Sequence, residues 1–454
     1  MPNSNDTKCL NGSSNNDVKL ESSSLRHKDF DSNYYLDEES GWSIINSSNS
    51  IYNIHNDVYY SSSLSKMFII DTDGLKLNEM NTNSELNEFS DKRTVFGEIE
   101  NNFKINIILD RNIHAGTAVI PNPTRDTNLC EDRHITQIQF PNIFFNSKVN
   151  MIFSFAGVFD GHAGCNCSKY VQQVLLNNML AFYCHSLNRL NKNDTSIIDL
   201  YRQYSFSGSD KNINSNEIKS LCMGIIQSFE QTNNNFLSIA KKKGFNDGTT
   251  ALICVIFGPD PVDENLKLVV GNCGDSVLIL GYRNKDNTIS ARKLTKEHRP
   301  NDKKERERIE RAGGRVEFCN GTWRIIVKKQ QRISFEENTK YIGLSTSRSI
   351  GDLYLKEPIL ICTSEPEVTV YNIDIENDLF LILATDGVAD FISEEEFASI
   401  VGSMLNLTPT EVACELTRVA EKKGSMDDKT ATVIFFGWSI QDQWSCLEPN
   451  SEST

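Results

Sequence analysis

The chain has 454 residues, enough for one large domain or two ordinary ones with a sizeable core. Its formal net charge of −15 argues against nucleic acid or an anionic membrane as main partner and leaves cation binding open. No apolar run approaches the ~20 residues that span a bilayer. Residues Met1 to Asp6 are polar and lack the basic-then-apolar pattern of a signal peptide, so a cytoplasmic or nuclear protein is expected. The 12 cysteines follow no regular spacing, which predicts reduced core thiols and no zinc site. Around Cys130, Cys165 and Cys167 two readings stand, an oxidation-sensitive thiol and ordinary buried thiols.

Residues 1–104 are dominated by Asn, Ser and Asp, a composition that buries too little apolar surface to offset chain entropy. They read as a disordered extension, a linker or a regulatory arm. From Phe103 the texture changes, and 105–438 reads as the folded domain, with a polar tail at 439–454. Ile105 to Leu109 and Ile135 to Phe140 are strand-like. Met151 to Phe159 is an apolar run that reads as a buried strand and stops on Asp160-Gly161-His162. Two helical segments follow, one near Cys167 to Phe182 and one over Ile218 to Ile239, separated by a surface insertion at Asn188 to Asn216. Strands are predicted at Thr250 to Phe257, Leu266 to Val270 and Ser276 to Tyr282. A charged helix at Lys303 to Ala312 is stopped by Gly313-Gly314. Residues 317–340 read as irregular. Leu379 to Ala384 is a buried strand, Glu394 to Leu405 and Pro409 to Lys422 are helices, and Thr430 to Phe436 is the last strand. Strands and helices come in blocks, which predicts an α+β fold with antiparallel sheets and helices packed outside.

Acids stand at the strand borders: Glu131-Asp132, Asp160, Asp275, Asp386 with Asp390, and Asp427. Brought together without cations, they would repel and their pKa values would rise. Hard divalent cations with oxygen ligands remove that problem, and two such ions can activate a water for displacement at phosphorus. Each acid taken singly reads equally well as part of a solvated Asp-Gly turn.

In family order, these segments resemble the metal-dependent serine/threonine protein phosphatases of the PPM, or 2C-type, family. The matching stretches are Cys130-Glu131-Asp132, Val158 to Gly164, Gly248-Thr249-Thr250-Ala251 and Asn272-Cys273-Gly274-Asp275-Ser276. They continue with Leu294-Thr295 through His298-Arg299-Pro300, Glu305 to Val316, Ser347 to Asp352, Ala384 to Asp390 and Ser425 to Thr430. The resemblance covers roughly residues 105–437 and implies an αββα sandwich, two antiparallel sheets flanked by helix pairs. It implies two Mg²⁺ or Mn²⁺ ions, with Asp160 bridging them, Glu131 and the Gly161 carbonyl completing one site, and Asp386 and Asp427 serving the other. Asp132 is expected behind the ligands, and Asp275 and Asp390 match residues given to a weaker third metal. His162 is the implied proton donor to the leaving Ser or Thr oxygen, and His298 a loop residue.

The sequence departs from the pattern at several positions. The family's phosphate-binding Arg falls on Thr127, with Arg125 as the candidate substitute, and Val277, Ala389 and Asp428 replace commoner residues. Asp427, not Asp428, is expected as the ligand because Thr430 keeps its register. The segment from Phe318 to Tyr341 is longer than usual and is expected to influence substrate choice, the alternative being a tolerated surface insertion. The implied function is a protein phosphatase acting as a monomer on phosphoproteins. The alternative is a catalytically weak relative that binds phosphoproteins or partner proteins, kept open by Thr127.

Overall fold

In the computed structural model the residues described are 113–124, 130–138, 152–204, 206–208, 214–319, 321–328 and 341–438, with six short strands nearer the N-terminus. The chain divides into a unit at Met1–Val95 and another at Phe96–Thr454. In the first, strands β1 (Tyr34–Leu36), β2 (Trp42–Ile45), β3 (Ser50–Asn53), β4 (Val58–Ser61), β5 (Lys66–Ile70) and β6 (Leu77–Glu79) pair in sequence order. The rest of the Asn/Ser-rich extension, the expected strand at Ile105 to Leu109 and the polar tail lie outside the described residues.

The second unit is built on two sheets whose strands alternate apolar residues between two buried faces. One contains β8 (Arg133–Gln137), β9 (Ile152–Phe159), β11 (Ser207–Gly208), β13 (Ala251–Gly258), β14 (Lys267–Cys273) and β21 (Glu367–Asn372), in the order β11-β21-β14-β13-β9-β8. Its pairings are antiparallel except that β11 runs parallel to β21. The other contains β7 (Ile113–Ile120), β15 (Val277–Arg283), β16 (Ile289–Lys293), β22 (Asp378–Ala384) and β23 (Lys429–Phe436), in the antiparallel order β16-β15-β22-β23-β7. Ala156, Val158, Leu252, Cys254, Leu268 and Val270 from the first sheet share a core with Leu278, Leu280, Leu381, Leu383, Ile434 and Phe436 from the second. Each of the Val, Leu, Ile and Phe side chains buried in full contributes roughly 1.5–3 kcal/mol.

Helices cover both outer faces. On the first sheet lie α1 (Asn166–Asn191) and α3 (Asn216–Lys243), with α2 (Thr195–Gln203) between them in sequence. Helix α1 buries Cys167, Val171, Val174, Leu175, Met179 and Tyr183 along one stripe. Helix α3 starts on Ser215, whose hydroxyl accepts the Ile218 N–H, and ends on Gly244 at φ 73° after three lysines. The surface insertion expected at Asn188 to Asn216 is in part helical, as α2. Asp194 caps it by accepting the Ser196 N–H, and Ile197 is its buried anchor.

The 317–340 region also differs from expectation. After α4 (Lys303–Arg311), which ends as predicted before Gly313 at φ 90°, β17 (Arg315–Cys319) and β18 (Thr322–Lys328) form a hairpin that continues to β19 (Tyr341–Leu344). Val316, Ile325 and Leu344 pack with Ile309 and Ile361 in a small core of their own. Residues 329–340 lie outside the described ones.

The remaining helices are two single turns, α5 (Leu353–Lys356) and α6 (Asp386–Ala389), and α7 (Glu394–Ser403) and α8 (Pro409–Lys422) on the second sheet. Capping boxes Ser393/Glu396 and Thr408/Glu411 start α7 and α8. Phe397, Val401, Val412 and Leu416 pack on Ile279, Phe380, Ile382 and Val433. The implied αββα sandwich is therefore the fold.

A Cβ built on Gly281 would overlap the ring of the fully buried Phe380, so no larger residue fits without moving the core. Gly281→Ala should lower unfolding stability by about 1–3 kcal/mol in a urea titration.

Candidate active site

One end of the sandwich gathers the strand-border acids. Asp160 follows the last residue of β9. Its backbone is clamped because its carbonyl accepts the Thr250 N–H and the Thr249 hydroxyl, both at 2.9 Å, while its own N–H donates to Thr250 Oγ1 at 3.1 Å. Burial, followed by repulsion from Asp386, Asp132, Asp275 and Asp427, pushes the Asp160 carboxyl well above the usual carboxylate range. Asp386, at the start of α6, is pushed up to about 8 by burial and then by Asp275, Asp390 and Asp427. Asp275, at the β14–β15 turn, and Asp390 are also raised, burial being the first cause in each.

Asp132 stands behind this cluster. Oδ2 accepts the hydroxyls of Thr430 at 2.6 Å and Thr385 at 3.0 Å, whereas the buried Oδ1 has no hydrogen-bond partner among the described residues. Burial, opposed by those hydroxyls and reinforced by Asp428 and Asp427, lifts Asp132 to about 7.

Loops bring in the other two acids. Glu131 Oε1 accepts the Gly164 N–H at 2.5 Å, and the Glu131 carbonyl accepts the Ser168 hydroxyl at 2.6 Å. A Cβ on Gly161 would overlap that same carbonyl, so only glycine lets the 161 backbone approach Glu131 this closely. Asp427 is exposed, whereas Asp428 is buried and holds the backbone: Oδ1 accepts the Asn122 N–H at 2.6 Å and Oδ2 the Glu131 N–H at 2.7 Å. Asp428 is thus occupied as a loop anchor. Gly387 lets Asp427 approach α6, with its would-be Cβ 3.3 Å from the Asp427 Cβ.

His162 is placed by a three-stranded sheet of two-residue strands, β10 (Gly161–His162), β12 (Gly248–Thr249) and β20 (Ile350–Gly351). His162 pairs with Gly248, and Gly248 with Gly351, which carries Asp352 across to the imidazole. His162 Nε2 lies 2.8 Å from Asp352 Oδ2 and 3.0 Å from Oδ1. Gly248 leaves room for the pair, since its Cβ would overlap the Asp352 carboxylate and come within 2.6 Å of Nε2. Asp352 is fully buried, sits at φ 52° and accepts the Ser349 hydroxyl at 2.6 Å. Burial alone would lower the His162 pKa, but the Asp352 carboxylate outweighs it and the net shift is upward. The imidazole keeps 25% of its side-chain surface exposed, so it faces solvent with one edge and its carboxylate with the other.

Sequence reasoning missed two residues. Asp352 lay within the matched Ser347 to Asp352 stretch, but nothing local tied it to His162. Arg299 is the second. Its guanidinium reaches Asp275, Asp390 and Glu297, and its neighbour His298 plays the expected loop role, accepting the Gly274 N–H at Nδ1 at 3.1 Å. Arg125 and Thr127 lie outside the described residues. Cys130 is pushed up to about 12 by burial and the charges of Asp132 and Asp428, and burial raises Cys167, which favours the inert thiol form of both.

Among the described residues no three Asp, Glu, His or Cys side chains close around a single ion. A Mg²⁺-type site does not need such a cage, because that ion keeps several waters and uses one or two carboxylates. The donor chemistry here fits such an ion: oxygen-only side chains held together at a cost in repulsion, and a buried carboxylate oxygen on Asp132 left without a partner.

The family model "Protein phosphatase 2C" matches residues 124–429. Among curated relatives, the chain is 28% identical over 282 residues to "Probable protein phosphatase 2C 59" of Arabidopsis thaliana, covering 62% of this chain and 69% of that one. It is 29% identical over 299 residues to "Probable protein phosphatase 2C member 13, mitochondrial" of Oryza sativa, covering 64% of each. Among solved structures, the serine-threonine phosphatase 2C from Toxoplasma gondii superposes with a TM-score of 0.50 at 20% identity, over 70% of this chain and 98% of that one. A C. elegans sex determining protein superposes with a TM-score of 0.52 at 22% identity, over 74% and 68%. At these identities the structural likenesses speak for the fold.

Two outcomes test the electrostatics. Folded pKa values of about 7 for Asp132 and about 8 for Asp386, above the ordinary 3.8, mean that the native state binds more protons than the unfolded chain between them. The metal-free protein should therefore lose melting temperature as pH rises from about 4 to about 8, and added Mg²⁺ should restore more at the alkaline end. Asp352→Asn should drop the His162 pKa, followed by NMR titration of the imidazole, because the largest influence opposing burial is then removed.

With its sandwich, its acid-lined end and a family model matched over residues 124–429, the chain belongs to the protein phosphatase 2C family.

Proposed function

We propose that this protein hydrolyses phosphoserine and phosphothreonine in phosphoproteins, with the acid-lined end of the sandwich as its active site. The observation that carries the reading is the convergence of Asp160, Asp386, Asp132, Asp275 and Asp427 in one corner, beside a histidine whose proton affinity is raised by a buried carboxylate. Two Mg²⁺ or Mn²⁺ ions would be held by Asp160, Glu131, the Gly161 carbonyl, Asp386 and Asp427. When bound, such ions neutralise the carboxylates and make hydroxide available at neutral pH for attack on phosphorus.

The chain's own residues supply the rest. The Thr249 and Thr250 contacts fix the Asp160 backbone, so its carboxylate need not be reoriented during turnover. Asp132, anchored by two threonine hydroxyls, adds negative charge behind the ligands. His162, held by Asp352 and partly exposed, would hand a proton to the departing Ser or Thr oxygen, a role that its upward pKa shift supports. The second reading, a catalytically weak binding relative, rests on Thr127 at the position of the family's phosphate-binding Arg.

Hydrolysis of a phosphothreonine peptide by the purified chain should vanish with chelator and return with Mn²⁺ or Mg²⁺. Asp160→Asn should abolish it. His162→Ala should keep metal binding but slow turnover by about 10²–10⁴-fold. A chain that binds metal by calorimetry yet shows no hydrolysis would favour the binding relative.

A further inference from the structure

Arg299 sits where a cation is wanted and is built to stay there. Nη1 lies 2.8 Å from Asp275 Oδ2, Nη2 2.9 Å from Asp390 Oδ1, and Nε 3.0 Å from Glu297 Oε2. Nη1 is also 3.9 Å from Asp386 Oδ2. All three guanidinium nitrogens are thus committed to carboxylates, the fork geometry that lysine cannot reproduce.

The backbone beneath is equally determined. His298 is buried, its N–H donates to the Gly274 carbonyl at 2.9 Å and its carbonyl accepts the Ser347 N–H at 2.7 Å. Residue 298 is thereby locked beside residue 274, which sets Arg299 next to Asp275 by register. Asp275 is 3% exposed, so its carboxylate has left water and needs a counter-charge.

Asp275 and Asp390 are the residues that the family resemblance assigns to a weaker third metal. In this structure they do not fit that ion, because a permanently charged guanidinium already occupies both. We infer that Arg299 is the resident cation of the Asp275–Asp390 corner, taking the place of a third metal, so that the protein holds two divalent ions and not three. Metal entry there would require the arginine to leave, stripping Asp275 and Asp390 of that guanidinium at once, while Glu297 keeps Lys293.

The inference rests on the two-metal reading above, and a metal count separates the two. The full-length chain is equilibrated with saturating Mn²⁺, dialysed against the same free Mn²⁺, and its bound metal measured by elemental mass spectrometry. Two ions per chain are expected for the unaltered protein, and two again for Asp390→Asn, in which Arg299 still holds Asp275. Arg299→Gln, checked for a native circular-dichroism spectrum, should rise to three. Three ions on the unaltered chain would overturn the inference and leave the two-metal reading standing. So would a folded Arg299→Gln that stays at two. Fewer than two on the unaltered chain would remove both. Should Arg299→Gln fail to fold, the counts for the unaltered chain and Asp390→Asn still decide the matter.

Discussion

Carboxylates that repel one another are held in one corner, and nearly every other feature answers to that repulsion. Asp160 feels Asp386, Asp132, Asp275 and Asp427 at once. Left alone, such a cluster would take up protons or splay apart. Here the raised pKa values record the first response, and splaying is prevented because each acid is mounted at the end of an element whose remaining residues are committed elsewhere. Asp160 ends a strand with eight buried residues, and Asp386 follows another with seven. The two sheets behind them are closed on both faces, so the energy that holds the acids together comes from apolar burial remote from them. Stability and chemistry are thus separated in space.

A second device, much smaller, positions His162. Three two-residue strands draw together segments from three distant parts of the chain, and a glycine at their centre leaves the gap in which an imidazole meets a carboxylate. Asp352 takes a left-handed backbone conformation that a residue with a side chain seldom adopts. That strain, together with its complete burial, marks it as a residue retained for its carboxylate and not for the fold.

The punctuation of strands by acids was legible because burial on both faces makes a strand a continuous apolar run, and a charge can appear only where the run stops. Asp160 and Asp386 declare themselves in this way. Asp352 and Arg299 do not: the first meets His162 across 190 positions of sequence, and the second reaches its acids only because residue 298 is tied to residue 274. Neither fact leaves a local trace. Helix α2 was hidden for a different reason, since a single buried anchor, Ile197, gives too little periodicity to stand out among Asn and Lys. The β17–β18 hairpin was masked by its charged, half-exposed strands, whose apolar partners lie in α4 and β19.

Asp428 carries a consequence of its own. By accepting the N–H groups of both Asn122 and Glu131, one carboxylate clips together the two ends of the intervening segment. The closure entropy of that segment is met by a group that belongs to neither end, and lengthening such a loop twofold costs only about 0.6 kcal/mol. The clip therefore holds the Glu131 backbone in place whatever the length of chain between the two anchored residues.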